Sequence, residues 1–199
     1  LDTIPALNRH KQRKAATRDG LLHAAREIII EKGYDNVDIL DITDRANVSK
    51  ATFYQHFPNK EECARQLMLQ GFDALVKQIM NEQQSGLPGP EWIYNSYYNL
   101  FSWAAANREF LLIMLGGAAS HKLNIFGRQY MVEITERLLN QVGYNREGIR
   151  YPPILVAQVI TGILIQLLSW WLEHDTGYSA AQLAELTNTI VTNGLGQLA

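Results

Sequence analysis

The chain has 199 residues, 47% of them apolar, which is enough to bury a sizeable core, and its formal net charge of -2 at pH 7 carries no overall signature of a polyanion-binding protein. Cys63 is the only cysteine, which excludes an internal disulfide and a thiolate zinc cluster. His10, His23, His56, His121 and His174 are scattered, with no HExxH, Gly-rich phosphate loop or paired-acid motif, so the reading is neither an enzyme nor a cofactor or metal binder.

Charge is distributed unevenly. Residues 1–60 carry ten Lys and Arg against eight Asp and Glu, and residues 61–199 carry eight against twelve. Arg9, Lys11, Arg13, Lys14 and Arg18 form a basic stretch with no acid between Asp2 and Asp19. Residues 1–16 therefore read as a basic arm, which suits either a polyanion or a merely solubilising terminus. The first apolar block follows this arm, so no leader pattern is visible, and with one cysteine the expected location is cytoplasmic.

The periodicity of Leu21, Leu22, Ala25, Ile28 and Ile29 predicts a helix over Thr17–Lys32, stopped by Gly33. Asp38 starts a second helix, with Asp41 three residues later as in a capping box and Ile39, Ile42 and Ala46 facing inward. Asn47 suits a left-handed exit, the role Gly usually fills. Ser49 caps a third helix, Lys50–His56, anchored by Phe53 with Val48 and Phe57. Pro58 breaks the chain, and Asn59 caps a fourth helix through about Met80. A short capped helix, a tight turn and a second short helix with a free polar side make a helix-turn-helix. The second helix is narrow enough for the major groove. Lys50, Ala51, Thr52, Gln55 and His56 lie on or beside its free face, with the Tyr54 hydroxyl and Lys60 within reach of phosphates.

Order and spacing across residues 17–69 resemble the N-terminal domain of the TetR family of transcriptional regulators. The matching elements are Ala24–Ala25, Gly33–Tyr34, Asp41–Ile42, Ala46, Val48–Ser49–Lys50, Thr52–Phe53–Tyr54, His56–Phe57 and Asn59–Lys60–Glu61. The resemblance implies that Ser49–His56 is a recognition helix. Lys50, Ala51 and Thr52 fall at base-facing positions, and Ser49, Tyr54, His56 and Lys60 at backbone-contact positions. Three residues depart from the pattern. Asn47 replaces the usual turn Gly. Ala51 replaces a frequent Gly, and its methyl either meets a thymine methyl or narrows the approach. Leu40 stands where a polar residue is common, either packing against the C-terminal domain or simply tolerated.

Residues 85–90, SGLPGP, read as a linker. Helices follow over Trp92–Ala106 and Arg108–Leu115, a break at Gly116–Gly117, then helices from about Ser120 to Val142, over 154–174 and from Ala180 to about Asn193, with Ser179 as the last cap. The expected fold is thus all-α, about nine helices, with a three-helix DNA-binding domain over 17–62 and a larger helical domain over 63–199. Residues 151–172 contain no charge and are long enough to span a bilayer. Two prolines at the start and a stripe of Gln158, Gly162, Gln166, Ser169 and Glu173 favour instead a helix sandwiched inside a soluble protein, with no membrane. Its apolar excess, together with the last helix, marks the expected homodimer interface, because one two-turn helix reads few base pairs and a dyad doubles them. Tyr94, Tyr97, Tyr98 and Phe101 share a helical face, and with Phe126, Tyr130 and Gln158 they form a candidate wall for a small hydrophobic or aromatic effector. Gln158 and Gln166 serve either that pocket or the dimer. The whole reads as a repressor released from a palindromic double-stranded operator when the effector binds.

Overall fold

The computed structural model describes residues 3–83, 90–115, 121–141, 143–144 and 150–196. Among them are nine α-helices and one short 3-10 turn: α1 (Thr3–Lys32), the 3-10 turn (Tyr34–Asn36), α2 (Ile39–Arg45), α3 (Lys50–Tyr54), α4 (Lys60–Gln83), α5 (Pro90–Ala106), α6 (Arg108–Leu115), α7 (His121–Gln141), α8 (Pro153–Glu173) and α9 (Ala180–Gly196). The fold is all-α. Most of the 85–90 linker, the Gly116–Gly117 break, Ser120 and Val142 lie outside the described residues. The chain divides into two compact units, Leu1–Gln70 and Gly71–Ala199.

In the first unit, α1 begins at Thr3, well before the Thr17 start read from apolar periodicity. Residues 3–16 have no core-facing pattern to detect, but they are rich in Ala, Leu, Lys, Arg and Gln, which propagate a helix without burial. Pro5 sits in the first turn, where no intrahelical donor is lost. Leu21, Leu22, Ala25 and Ile29 of α1 are almost fully buried with Ile42 of α2, Phe53 of α3, Phe57, and Cys63 and Ala64 of α4. Cys63 is inert there, since burial pushes its thiol up to about 12.

Local signals set the element ends. Asp41 N–H donates to Asp38 Oδ1 and Asp38 N–H to Asp41 Oδ2, both at 3.0 Å, completing the capping box. Arg45 near the end of α2 reaches back to Glu27 at 3.1 Å and Glu31 at 2.8 Å on α1. Asn47 adopts φ 52°, the left-handed conformation that turns the chain into α3. Thr52 N–H donates to Ser49 Oγ at 3.1 Å, capping α3. The helix is shorter than the Lys50–His56 reading: it ends at Tyr54, and His56 N–H closes a tighter turn on Phe53 O at 2.9 Å. Glu62 N–H donates to Asn59 Oδ1 at 2.7 Å at the head of α4.

In the second unit, α5 packs along α9 and α7 along α8, with α6 against α7 and α8. α8 is 21 residues long with mean hydropathy 1.8, enough by length and composition to cross a membrane. Its Val156, Ala157, Ile160, Leu164, Leu168 and Leu172 are buried inside the unit. The Gln158–Gly162–Gln166–Glu173 stripe is exposed on the opposite side, so within one chain α8 is covered on one face and not sandwiched. Ser179 and Gln182 cap α9 reciprocally, with Gln182 N–H donating to Ser179 Oγ at 3.3 Å and Ser179 N–H to Gln182 Oε1 at 2.9 Å.

The left-handed turn at residue 47 gives a direct test. Asn47→Ala places a residue without Asn's local side-chain hydrogen bonding at φ 52°, and should lower stability by about 1 kcal/mol in urea denaturation, whereas Asn47→Gly should not. Equal midpoints for the Ala variant and the wild type would contradict this role of the turn.

Candidate functional site

α3 is five residues long and makes its anchor with one side chain. Phe53 is 0% exposed and its ring lies 5.6 Å from Phe57 and 5.7 Å, edge-on, from Tyr54. With that face buried, Ser49, Lys50, Ala51, Tyr54 and Gln55 are exposed, and Thr52 and His56 are half-buried. Val48 is half-buried. The Thr52 hydroxyl lies 3.0 Å from Ser49 Oγ, which fixes its rotamer beside the cap. Leu40 on α2 is also exposed.

Arg9, Lys11, Arg13 and Lys14 are exposed along α1, so the basic stretch presents its charge from a helix. Arg18 lies 5.4 Å over the Phe57 ring and its Nη2 donates to Gln66 Oε1 at 2.8 Å. Burial first, and then the charges of Lys14 and Arg18, hold the His56 imidazole below the ordinary histidine range. Sequence spacing identified the charges but not their approach to His56, which depends on how α1 packs.

Lys60 is oriented otherwise than the expected phosphate contact requires. Its ammonium donates to Tyr34 O at 3.0 Å and Val37 O at 2.7 Å and sits 4.5 Å from the centroid of the Tyr34 ring.

The second unit contains a half-open cavity of about 360 Å³. Phe72, Leu75, Val76 and Ile79 of α4 form one wall, at the i, i+3, i+4, i+7 spacing of a single helical face. Ile93, Ser96, Tyr97 and Leu100 of α5 form another, with Tyr130, Met131, Ile134 and Leu138 of α7, Ile160 and Leu164 of α8, and Val191 of α9 closing it. Of the aromatic wall read from sequence, Tyr97 and Tyr130 line the cavity. Tyr94 stacks on the exposed Tyr98 at 6.4 Å, outside it. Phe101 is buried against Trp171 at 5.8 Å, Phe126 stacks behind Tyr130 at 6.2 Å, and Gln158 faces outward on α8. The face of α5 turned inward is 93–96–97–100, rotated from the richest aromatic stripe. Aromatic density alone does not reveal that rotation.

Among the described lining residues no side chain is charged, and the hydroxyls of Ser96, Thr135 and Tyr130 are engaged. Ser96 Oγ donates to Trp92 O at 2.8 Å, and Thr135 Oγ1 donates to Met131 O at 2.8 Å while accepting from Thr161 at 3.2 Å. The Tyr130 hydroxyl donates to Asp73. Burial pushes the Tyr97 phenol up to about 12, so it stays neutral. An uncharged lining with most of its hydroxyls bonded suits apolar groups. On the outer side, Leu155, Val159 and Trp170 of α8 and Leu186 and Ile190 of α9 are exposed, and a Cβ placed on Gly162 would meet open space.

Residues 21–67 match the family model of bacterial regulatory proteins of the tetR family, and residues 91–193, just over half of the chain, match that of a transcriptional regulator C-terminal region. The fatty acid metabolism regulator protein of Bacillus subtilis is 23% identical over 183 residues, covering 88% of this chain and 93% of the relative. The crystal structure of the transcriptional regulator FadR from Bacillus subtilis in complex with stearoyl-CoA superposes with a TM-score of 0.70 at 21% identity, covering 88% of this chain and 97% of that one. A TetR-family regulator from Syntrophomonas wolfei superposes with a TM-score of 0.76 at 19% identity, covering 93% and 98%. With both halves of the chain matched and the helix-turn-helix in place, the chain belongs to the TetR family: it is a ligand-responsive DNA-binding transcriptional regulator, not an enzyme.

Proposed function

We propose that the chain is a homodimeric repressor that reads a two-fold-symmetric operator with α3 and leaves it when an aliphatic effector fills the α4–α9 cavity. The carrying observation is α3 itself: Phe53 is wholly buried, and the residues around it present a polar face to solvent. Lys50, Ala51 and Thr52 meet base edges, and Ser49, Tyr54, Gln55 and His56 meet the flanking backbone. The exposed basic face of α1 supplies salt-dependent attraction to phosphates.

The exposed apolar residues of α8 and α9 support pairing of two copies. Gly162 leaves room for close helix approach, and Gln158 and Gln166 flank it with groups able to hydrogen-bond across a dyad. The cavity favours a flexible hydrocarbon over a polar metabolite, because every charged headgroup would have to stay outside it. The names of the Bacillus relatives, a fatty acid metabolism regulator and a stearoyl-CoA complex, agree with an acyl chain. α4 contributes Phe72, Leu75, Val76 and Ile79 to the cavity wall and begins at Lys60 beside the helix-turn-helix. Occupancy therefore acts on the helix that also seats the DNA-binding unit. The effector must favour the released geometry, since equal affinity for both shifts nothing.

The deciding experiment is selection of duplexes from a random pool by the wild-type protein, followed by titration against a scrambled duplex. Preference for a symmetric sequence by about a thousandfold is expected, and equal binding would defeat the proposal. Thr52→Ala should change the preferred base at its position, while Tyr54→Phe should weaken all sequences alike.

His56 sets a pH dependence. Phosphates raise the pKa of an imidazole that the free protein holds low, so DNA binding takes up a proton. Affinity should therefore rise as pH falls through the bound-state pKa and level off below the free-state value, and His56→Gln should flatten the profile. A wild-type profile identical to that of the variant would remove His56 from the interface.

Leu164→Trp should fill the cavity with an indole. We expect operator binding to persist and its release by dodecanoic acid to disappear, measured by fluorescence anisotropy; normal release by the variant would place the effector elsewhere.

A further inference from the structure

We infer that Lys60 is a positioning residue that staples the two ends of the helix-turn-helix together, and that it makes no phosphate contact. This rests on the DNA-binding reading of α3 and concerns the seat of that helix. An ammonium has three N–H donors. Two of them go to Tyr34 O and Val37 O, and the remaining side of the cation faces the Tyr34 ring. A Lys so engaged has one donor left, on a cation held against the Tyr34 ring and not extended toward an outer oxygen.

The position of the partners gives the bond its effect. Val37 precedes the α2 cap Asp38, and Lys60 is the first residue of α4. The Lys60–Val37 bond joins residues 23 apart and closes a loop containing α2, the Asn47 turn and α3. Fixing the ends of such a loop narrows the orientations open to what lies inside it. The seat is well walled: Tyr34 is 4% exposed and Val37 3%. Among the described residues the buried Tyr34 hydroxyl has no hydrogen-bond partner, and the ring is held by packing and by the cation on its face. Without the ammonium, the Val37 carbonyl and a desolvated ring lose a polar partner together, Tyr34 O keeps only the Val37 N–H at 3.3 Å, and the start of α4 is freed from the α1–α2 connection.

The test compares the full-length Lys60→Met and Lys60→Arg variants with the wild type. The probes are the duplex selected by the wild type and its scrambled counterpart, titrated over a range of salt, with urea denaturation alongside. For Lys60→Met the expected result is about a tenfold loss on the selected duplex, a smaller loss on the scrambled one, and an unchanged salt slope. The Arg variant keeps the charge, but a planar guanidinium with a rigid fork of donors replaces the compact ammonium at the two carbonyls, so it should also lose discrimination. It carries the test if the Met variant fails to fold.

A salt slope reduced by about 0.9 with equal losses on both duplexes would identify a phosphate contact and overturn the inference. A lower urea midpoint with folded protein binding both duplexes as before would reduce Lys60 to a stabilising residue and overturn it too, as would wild-type behaviour of Lys60→Arg. If the wild type fails to discriminate the duplexes, the specific-operator reading fails separately. A loss of affinity at an unchanged slope would then still support the staple, and a reduced slope, or a lowered urea midpoint with affinity unchanged, would still overturn it.

Discussion

A helix of five residues does not hold itself in water, because the nucleation cost outweighs the few backbone bonds it gains. α3 exists because Phe53 is buried to 0% exposure against Phe57 and the α1 core. That burial decides the direction of every other side chain on the helix. With one face committed inward, Lys50, Ala51 and Gln55 point away from the protein, and the cap at Ser49 holds Thr52 in a fixed rotamer. The short helix is thus divided into an apolar anchor and a polar display.

The surrounding electrostatics serve the same arrangement. Arg45 reaches two carboxylates of α1, and Lys32 pairs with Asp41 of the capping box, so α2 is tied to α1 at both ends. These pairs are solvent-exposed, and each holds geometry more than it adds stability. Other cations remain on the surface along α1. Lys60 faces the protein instead, its ammonium on Tyr34 O and Val37 O.

The second unit is built on a different constraint. Its cavity is bounded by five helices with an uncharged lining, the Ser96 and Thr135 hydroxyls directed to backbone carbonyls and the Tyr130 hydroxyl to Asp73. α8 is the two-sided element. Ile160 and Leu164 face the cavity, while Gln158, Val159 and Gly162 face outward. A single helix with no charge before Glu173 thus carries a cavity wall on one side and an exposed apolar face on the other, which is why its hydropathy imitates a membrane span.

The sequence by itself determined the features that depend on neighbours a few residues apart. The Asp38–Asp41 box, the left-handed Asn47, the Ser49, Asn59 and Ser179 caps and the buried Phe53 are local matters of spacing and side-chain chemistry, and they identified the helix-turn-helix. The helical path of residues 3–16 was not legible, because an exposed helix leaves no apolar period. Tertiary structure decided which side of α5 lines the cavity, placed Tyr97 inside and Tyr94, Tyr98 and Phe101 outside it, and brought Lys14 and Arg18 to His56. It also turned Lys60 onto two carbonyls more than 20 residues away in sequence. Each of these depends on the rotation of one helix about its axis against another. That rotation is set by the packing of whole faces, and no short window of sequence contains both faces.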